Sequence, residues 1–231
     1  MPAAPLLELE SVVKSYPGPA EAARVVILRQ ASLGILRGES VAILGPSGSG
    51  KSTILNLLGG LDRPDSGPVR FAGRELGTLS EPELAAFRNR SVGFVFQHHH
   101  LLPHATVLEN VLIPALATGQ PISDAVRARA EQLLDRVGLR ARATQLPGRL
   151  SGGERQRTAL VRALINEPAA VLADEPTGAL DQANAAEVAR LLIELNRDAG
   201  VTLVVVTHSA ELAARCSRRV TLSEGRLLAQ A

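Results

Sequence analysis

The stretch Gly45-Pro46-Ser47-Gly48-Ser49-Gly50-Lys51-Ser52 constrains this chain more than any other, because it fits the pattern G-x-x-x-x-G-K-[ST]. The pattern requires a buried strand before it and a helix after it. Val41-Ala42-Ile43-Leu44 is an unbroken apolar run of strand length, and Ser52-Thr53-Ile54-Leu55-Asn56-Leu57-Leu58 reads as the opening of a helix. Glycines at 45, 48 and 50 let the backbone wrap closely around phosphate groups, so that amide N–H donors and the helix N-terminus face the anion. Lys51 supplies a point charge to the β- and γ-phosphates, and Ser52 offers its hydroxyl to Mg²⁺. Pro46, Ser47, Ser49 and Thr53 belong to the same binding segment. By itself the loop specifies a nucleoside triphosphate and leaves kinase, GTPase and motor open.

Composition narrows the setting. With 231 residues, 45% hydrophobic and 21% charged, the chain is long and apolar enough for one or at most two globular domains. A net charge of 25 − 23 = +2 creates no field that demands nucleic acid, and 2% aromatics with no Trp leave few stacking platforms for bases. The single Cys216 excludes an intrachain disulfide and fits a reducing compartment. Residues 1–10 carry Glu8 and Glu10 and lack the pattern of a signal peptide. No uncharged apolar run approaches the roughly 20 residues of a membrane span, so work at a membrane is expected to go through a partner.

Short apolar runs over residues 6–36, broken at Tyr16-Pro17-Gly18-Pro19, have a strand-and-turn texture that resumes near 69–71 and 92–96, with antiparallel edges expected. Further buried strands are expected at 170–173 and 202–206. From 97 to 168 the texture is helical. Val126, Ala130, Leu133, Leu134 and Val137 share a helical face ended by Gly138, and a second helix starting at Ser151 is expected to bury Leu160, Ala163 and Leu164. Val188, Leu191, Leu192 and Leu195 mark another helix, closed by Gly200. Strands alternating with helices imply a mainly parallel sheet covered on both faces.

The run Ala170-Val171-Leu172-Ala173 ends in Asp174-Glu175, two carboxylates at the C-terminal mouth of a core strand, where α/β sheets bind ligands. Asp174 is placed to hold Mg²⁺ and Glu175 to polarise an attacking water. Leu150-Ser151-Gly152-Gly153-Glu154-Arg155-Gln156 adds a second helix N-terminus with a hydroxyl and two glycine amides, a further phosphate site as well as a capping box. This string resembles the LSGGQ signature of the ATP-binding subunits of ABC transporters, with Glu154 at its last position.

The resemblance spans nearly the whole chain. It implies a P-loop NTPase (RecA-like) α/β fold with a mainly parallel core sheet, an antiparallel β subdomain and a helical subdomain inserted at about 98–168, all within one ATP-binding domain over 1–231. It implies ATP and Mg²⁺ as ligands, Tyr16 stacked on adenine, Gln97 linking Mg²⁺ to a membrane partner, and His208 at the γ-phosphate. Gly178-Ala179-Leu180-Asp181 resembles the D-loop that crosses the dimer interface, and Asp181 also fits a helix N-cap. Lys51, Glu175 and His208 are then the catalytic set, and Ser52, Gln97 and Asp174 are the residues at the metal. The signature residues Ser151, Gly152, Gly153 and Glu154 complete the ATP site of a second copy, so a head-to-tail homodimer is expected.

The segment Gln97-His98-His99-His100-Leu101-Leu102-Pro103-His104 resembles the Gln-x-His-His-Leu-Leu-Pro loop of ATPases from lipoprotein-releasing complexes of the Gram-negative inner membrane. That resemblance places the chain at the cytoplasmic face of the inner membrane, docked to integral membrane subunits through residues 97–103, with Leu101 and Leu102 exposed for contact. The other strings are shared with macrolide- or peptide-export and cell-division relatives. Non-transport ABC ATPases acting on nucleic acid or ribosomes need coiled coils, zinc insertions or a second cassette, none of which this sequence carries. Arg127, Arg129, Arg136, Arg140, Arg142 and Arg149 form a basic helical surface, read as a solvated face or a protein contact rather than a nucleic-acid groove.

Overall fold

The computed structural model describes residues 4–18 and 24–229. Pro19 of the expected turn lies outside the described residues. The chain runs through β1 (Leu7–Pro17), β2 (Arg24–Ile35), β3 (Ser40–Leu44), α1 (Lys51–Leu58), β4 (Val69–Phe71), β5 (Arg74–Glu75), α2 (Glu81–Ser91) and β6 (Val92–Val95). It continues through α3 (Val107–Leu116), α4 (Asp124–Arg136), α5 (Gly152–Leu164), β7 (Ala170–Asp174), α6 (Gln182–Ala199), β8 (Thr202–Val206), α7 (Ala210–Ala214), β9 (Arg218–Ser223) and β10 (Arg226–Ala229).

Two sheets result. One is antiparallel in the order β2-β1-β4-β5; the other has the order β10-β9-β3-β8-β7-β6. In the larger sheet β9, β3, β8, β7 and β6 are mutually parallel, and only β10 runs against its neighbour. The strand residues explain this. Val204 and Val206 of β8 and Ala170 and Leu172 of β7 face a core shared with α1 and the antiparallel sheet. Leu203, Val205, Val171 and Ala173 face a second core built with α3, α4, α5 and α6. A strand covered on both faces has no polar side to spare, which is why these runs are continuously apolar.

Two expectations are corrected. Residues 92–96 do not join the antiparallel set: β6 pairs parallel to β7 at the edge of the core sheet. Ala163 is half-buried rather than buried, because α5 crosses that sheet edge with Ala163 lying over Gly93. The sheet also extends past β3 through β9 and β10, where Val220 and Leu222 are the buried apolar positions of a segment otherwise rich in Arg and Ser. Helix α2 escaped notice for a similar reason: among its residues only Leu84 is buried, so it carries no apolar stripe.

Gly93 controls how closely α5 approaches β6, for a Cβ there would sit 2.3 Å from the carbonyl oxygen of Ala163. Backbone cannot yield as a side chain does. Gly93→Ala is expected to destabilise the subunit by roughly 1–3 kcal/mol, read as a lower urea midpoint at unchanged slope.

Candidate nucleotide-binding site

Parallel strands end on the same side of a sheet, and here those ends carry the polar residues. β3 runs into the glycine-rich loop, β8 into Thr207 and His208, β7 into Asp174 and Glu175, and β6 into Phe96 and Gln97. A cavity of about 390 Å³ brings Tyr16, Ser47, Gly48, Gly50, Lys51, Ser52, Thr53, Gln97, Asp174 and Glu175 together at this edge. Gly50, the residue before α1, has φ of 100°, and a Cβ on it would lie 2.4 Å from Cγ2 of Ile27. Only glycine fits there.

Lys51 is buried to 8% exposure, and its Nζ donates to the carbonyl oxygens of Gly45 (3.0 Å) and Pro46 (2.9 Å), so the ammonium sits inside the loop it serves. The hydroxyl of Ser49 is buried without a protein partner. A buried orphan hydroxyl, a caged ammonium and a glycine cradle together suit a phosphate chain. The Ser52 hydroxyl donates to Asp174. Burial pushes the Asp174 carboxyl above its usual range; the Ser52 bond counters this, the Glu175 charge adds to it and Lys51 opposes it. Two adjacent hard oxygen donors, one from the start of α1 and one from the end of β7, fit a divalent cation such as Mg²⁺.

Glu175 has φ of 44°, a left-handed conformation that costs a non-glycine residue on the order of 1 kcal/mol. The turn is held by its N–H donating to the Val206 carbonyl at 2.9 Å. This turn aims the carboxylate at His208, whose Nδ1 lies 2.9 Å and whose backbone N lies 3.3 Å from Oε2. The glutamate is 16% and the histidine 70% exposed at the side chain, so the pair has one wet and one dry member. Gln97 Nε2 lies beside Gly178, at 3.3 Å from where a Cβ on that glycine would stand.

The signature residues are built elsewhere. Ser151 caps α5, its Oγ accepting from the Glu154 N–H at 3.1 Å while Glu154 Oε2 accepts from the Ser151 N–H at 2.8 Å. That bond, with the Ser151 hydroxyl and Arg142 (Nε to Oε1, 3.2 Å), holds the Glu154 carboxyl below its usual range against its partial burial. A Cβ on Gly153 would overlap Asn184, and Asn184 is bonded to Asp181, whose Oδ1 caps α6 at 3.0 Å. Signature and D-loop therefore form one packed unit. Among the described residues, Ser151, Gly152, Gly153, Glu154, Asp181 and His208 do not line the cavity that holds Lys51.

The loop after Gln97 is a fixed object rather than a tether. Gln156 donates to Phe96 O (2.9 Å), and Arg162 donates to the carbonyls of His99 and His100 (both 2.7 Å). Fully buried Asn110 accepts from Leu102 N at 2.7 Å and donates to Leu102, Ala105 and Thr106 carbonyls. His100, at φ 46°, reverses the chain and packs edge-on against Phe96 at 5.3 Å. That reversal corrects one expectation: Leu101 turns inward and is 9% exposed, leaving Leu102, at 54%, as the outward leucine. Sequence reasoning also missed Ile27, which lines the cavity, and Gln156, whose only signal is an amide at a helix position otherwise facing the core.

Residues 28–178 match the family described as ABC transporter, a span that includes the loop, Gln97, the signature and Asp174-Glu175. The chain is 51% identical over 229 residues to the lipoprotein-releasing system ATP-binding protein LolD of Nitratidesulfovibrio vulgaris, covering 99% of this chain and 97% of the relative. It is 51% identical over 223 residues to LolD 1 of Rhodopirellula baltica, covering 96% of each. A dimeric ATP-binding cassette solved in a post-hydrolysis state with ADP and Pi has a TM-score of 0.87 at 39% identity, over 96% of both chains. A dimeric bacterial ABC transporter cassette has the same TM-score at 40% identity. This chain belongs to the ABC transporter family, as one of its ATP-hydrolysing cassettes.

Proposed function

We propose that this chain is the ATPase of a lipoprotein-releasing system, using ATP hydrolysis to drive release of lipoproteins from the inner membrane toward the outer membrane. The observation that carries this reading is similarity at 51% identity, over nearly the full length of both chains, to relatives named for that system. The histidine-leucine loop after Gln97 agrees with it. No helix among the described residues is long and apolar enough to cross a membrane. In this reading the chain works at the cytoplasmic face of the inner membrane, held there by integral membrane subunits.

Tyr16 then stacks on the adenine, the amides of residues 45–52 and Lys51 hold the phosphates, and Ser52, Asp174 and Gln97 hold Mg²⁺. Mg²⁺ bound there neutralises phosphate charge. Glu175 accepts the proton of the water that attacks the γ-phosphorus, and His208 orients both the carboxylate and the departing phosphate. Because Ser151 and its neighbouring glycine amides lie outside their own chain's cavity, they cover the ATP of a second copy, and two ATPs are sandwiched in a homodimer. ATP then favours the closed dimer by touching both halves, and hydrolysis removes that preference. Membrane subunits dock at residues 97–103, where Leu102 stands outward; Phe96, just before this loop, also lines a groove of about 720 Å³ with Leu61, Phe94, Arg88 and Arg90.

Glu175→Gln should bind MgATP, lose turnover by roughly 10²–10⁴-fold and accumulate as a dimer in size-exclusion chromatography; a monomer with near-normal turnover would sink the role of Glu175. Lys51→Ala should weaken nucleotide binding by the isolated subunit, whereas Ser151→Arg should leave that binding intact and block dimerisation. Equal loss of monomer affinity in both variants argues against a two-copy site. Leu102→Asp should leave the melting temperature and ATPase of the isolated subunit unchanged and weaken co-purification with the membrane subunits. Leu101→Asp should instead lower the melting temperature, because it drives a carboxylate into the subunit's own interior.

A further inference from the structure

Tyr16 does not stand alone on β1. Its hydroxyl donates to Asp62 Oδ2 at 2.7 Å, and the other carboxylate oxygen accepts from Lys14 Nζ at 2.6 Å and from the Arg63 N–H at 2.7 Å. Lys14 is 8% exposed, donates a second bond to Arg63 O at 2.7 Å, and holds its ammonium 4.9 Å from the centre of the Tyr16 ring. Thr53, in the first turn of α1, lines the same cavity as Tyr16. Asp62 sits in the turn that follows α1, anchored through its own N–H to Asn56 O at 3.3 Å. The turn that follows α1 therefore grips the phenol oxygen of this ring.

We propose that Asp62, fixed by Lys14, is a positioning residue that holds the hydroxyl end of the Tyr16 ring in place, so that the ring stands ready as the platform for the nucleotide base. The turn after α1 ties that platform to the helix whose N-terminus holds the phosphates. This rests on the reading of Tyr16 as the base-stacking ring. A phenol can rotate about its ring axis and swing on its side chain, and stacking is productive only for one orientation of its face. The Asp62 bond at the far end of the ring removes the swing before nucleotide arrives, so less freedom is lost on binding. The ion pair with Lys14 does the same for the carboxylate. Burial would raise the Asp62 carboxyl, yet the bonds from Lys14, Tyr16 and the Arg63 N–H hold it below its usual range, so it stays an acceptor at neutral pH. Burial, then Asp62, and more weakly Asp65, push the Tyr16 phenol above its usual value against the opposing effect of Thr53.

The chain has one Tyr and no Trp, so ultraviolet absorbance of the phenolate reports Tyr16 alone. In the purified full-length subunit, Asp62→Asn is expected to move the phenol's titration midpoint down toward that of free tyrosine, with circular dichroism checking the fold at each pH. It should raise KM for ATP about threefold to tenfold, the loss appearing in KM rather than in kcat. Tyr16→Phe keeps the ring and removes the bond. It should show the same rise in KM, and the double variant should be no weaker than either single one. Tyr16→Ala should lose more, since the ring itself is gone. If Tyr16→Ala binds ATP as wild type does, the base-stacking reading fails. If Tyr16→Ala weakens binding while Tyr16→Phe and Asp62→Asn do not, stacking stands and the positioning role of Asp62 is overturned. An unmoved phenol midpoint in Asp62→Asn overturns it as well.

Discussion

One rung of the core sheet fixes the chemistry. Val206 lies between Ile43 on β3 and Asp174 on β7, paired in register with both. The ladder continues one step past the strands, with Thr207 N donating to Ile43 O and Glu175 N donating to Val206 O. The glycine-rich loop, the Asp174-Glu175 pair and His208 are therefore separated by strand spacings of about 4.8 Å rather than by flexible loops. A slip of one residue in any of these pairings would turn Asp174 toward the wrong face and bury the wrong side chains. Because both faces of β7 and β8 are apolar, burial alone does not forbid such a slip in the usual way; the fit of Gly93 against Ala163 and of α1 against β7 and β8 supplies the missing constraint.

Three helices begin with the same device: Ser80 with Glu83, Thr106 with Glu109 and Ser151 with Glu154. In the first two the box is architecture, satisfying amides that the helix leaves free. In the two-copy site proposed above, the third also presents a phosphate site, and this gives Glu154 a physical role at the position where the resembling signature has glutamine. A glutamate at that place caps the serine N–H and sits well at the positive end of the helix, but it brings a negative charge to a site meant for an anion. Arg142, bonded to the same carboxylate, offsets that charge.

What could be read from the sequence was whatever leaves a pattern. Gly45 to Ser52, the two strand-end carboxylates and the capped signature are strings whose residue types have few other uses, and the structure puts them at strand ends and helix starts as read. Contacts made across long separations left no such trace. The grip of Asp62 on Tyr16 spans 46 positions, and that of Arg162 on His99 spans 63. Leu101 and Leu102 are alike in composition and neighbours in the chain; the left-handed turn at His100 and the buried Asn110 decide which one faces water. Strands β9 and β10 were hidden because their apolar runs are short and broken by Arg218, Arg219, Ser223 and Arg226.

Helix α5 joins the two ends of the mechanism. Its first residues are the signature glycines beside Ser151, and from the same helix Gln156 holds the Phe96 carbonyl while Arg162 holds those of His99 and His100. Gln156 is 2% exposed, and the bonds it makes to Phe96 and Arg162 makes to His99 are partly buried, so breaking them leaves polar groups short of partners. A helix of 13 residues does not stretch. On the two-copy reading proposed above, drawing the signature end toward a second copy's nucleotide carries the backbone of residues 96–100 with it, and with that the neighbouring outward Leu102. On that reading, force generated at the ATP reaches the loop after Gln97 through one rigid rod and a few hydrogen bonds, without any need for the loop to refold.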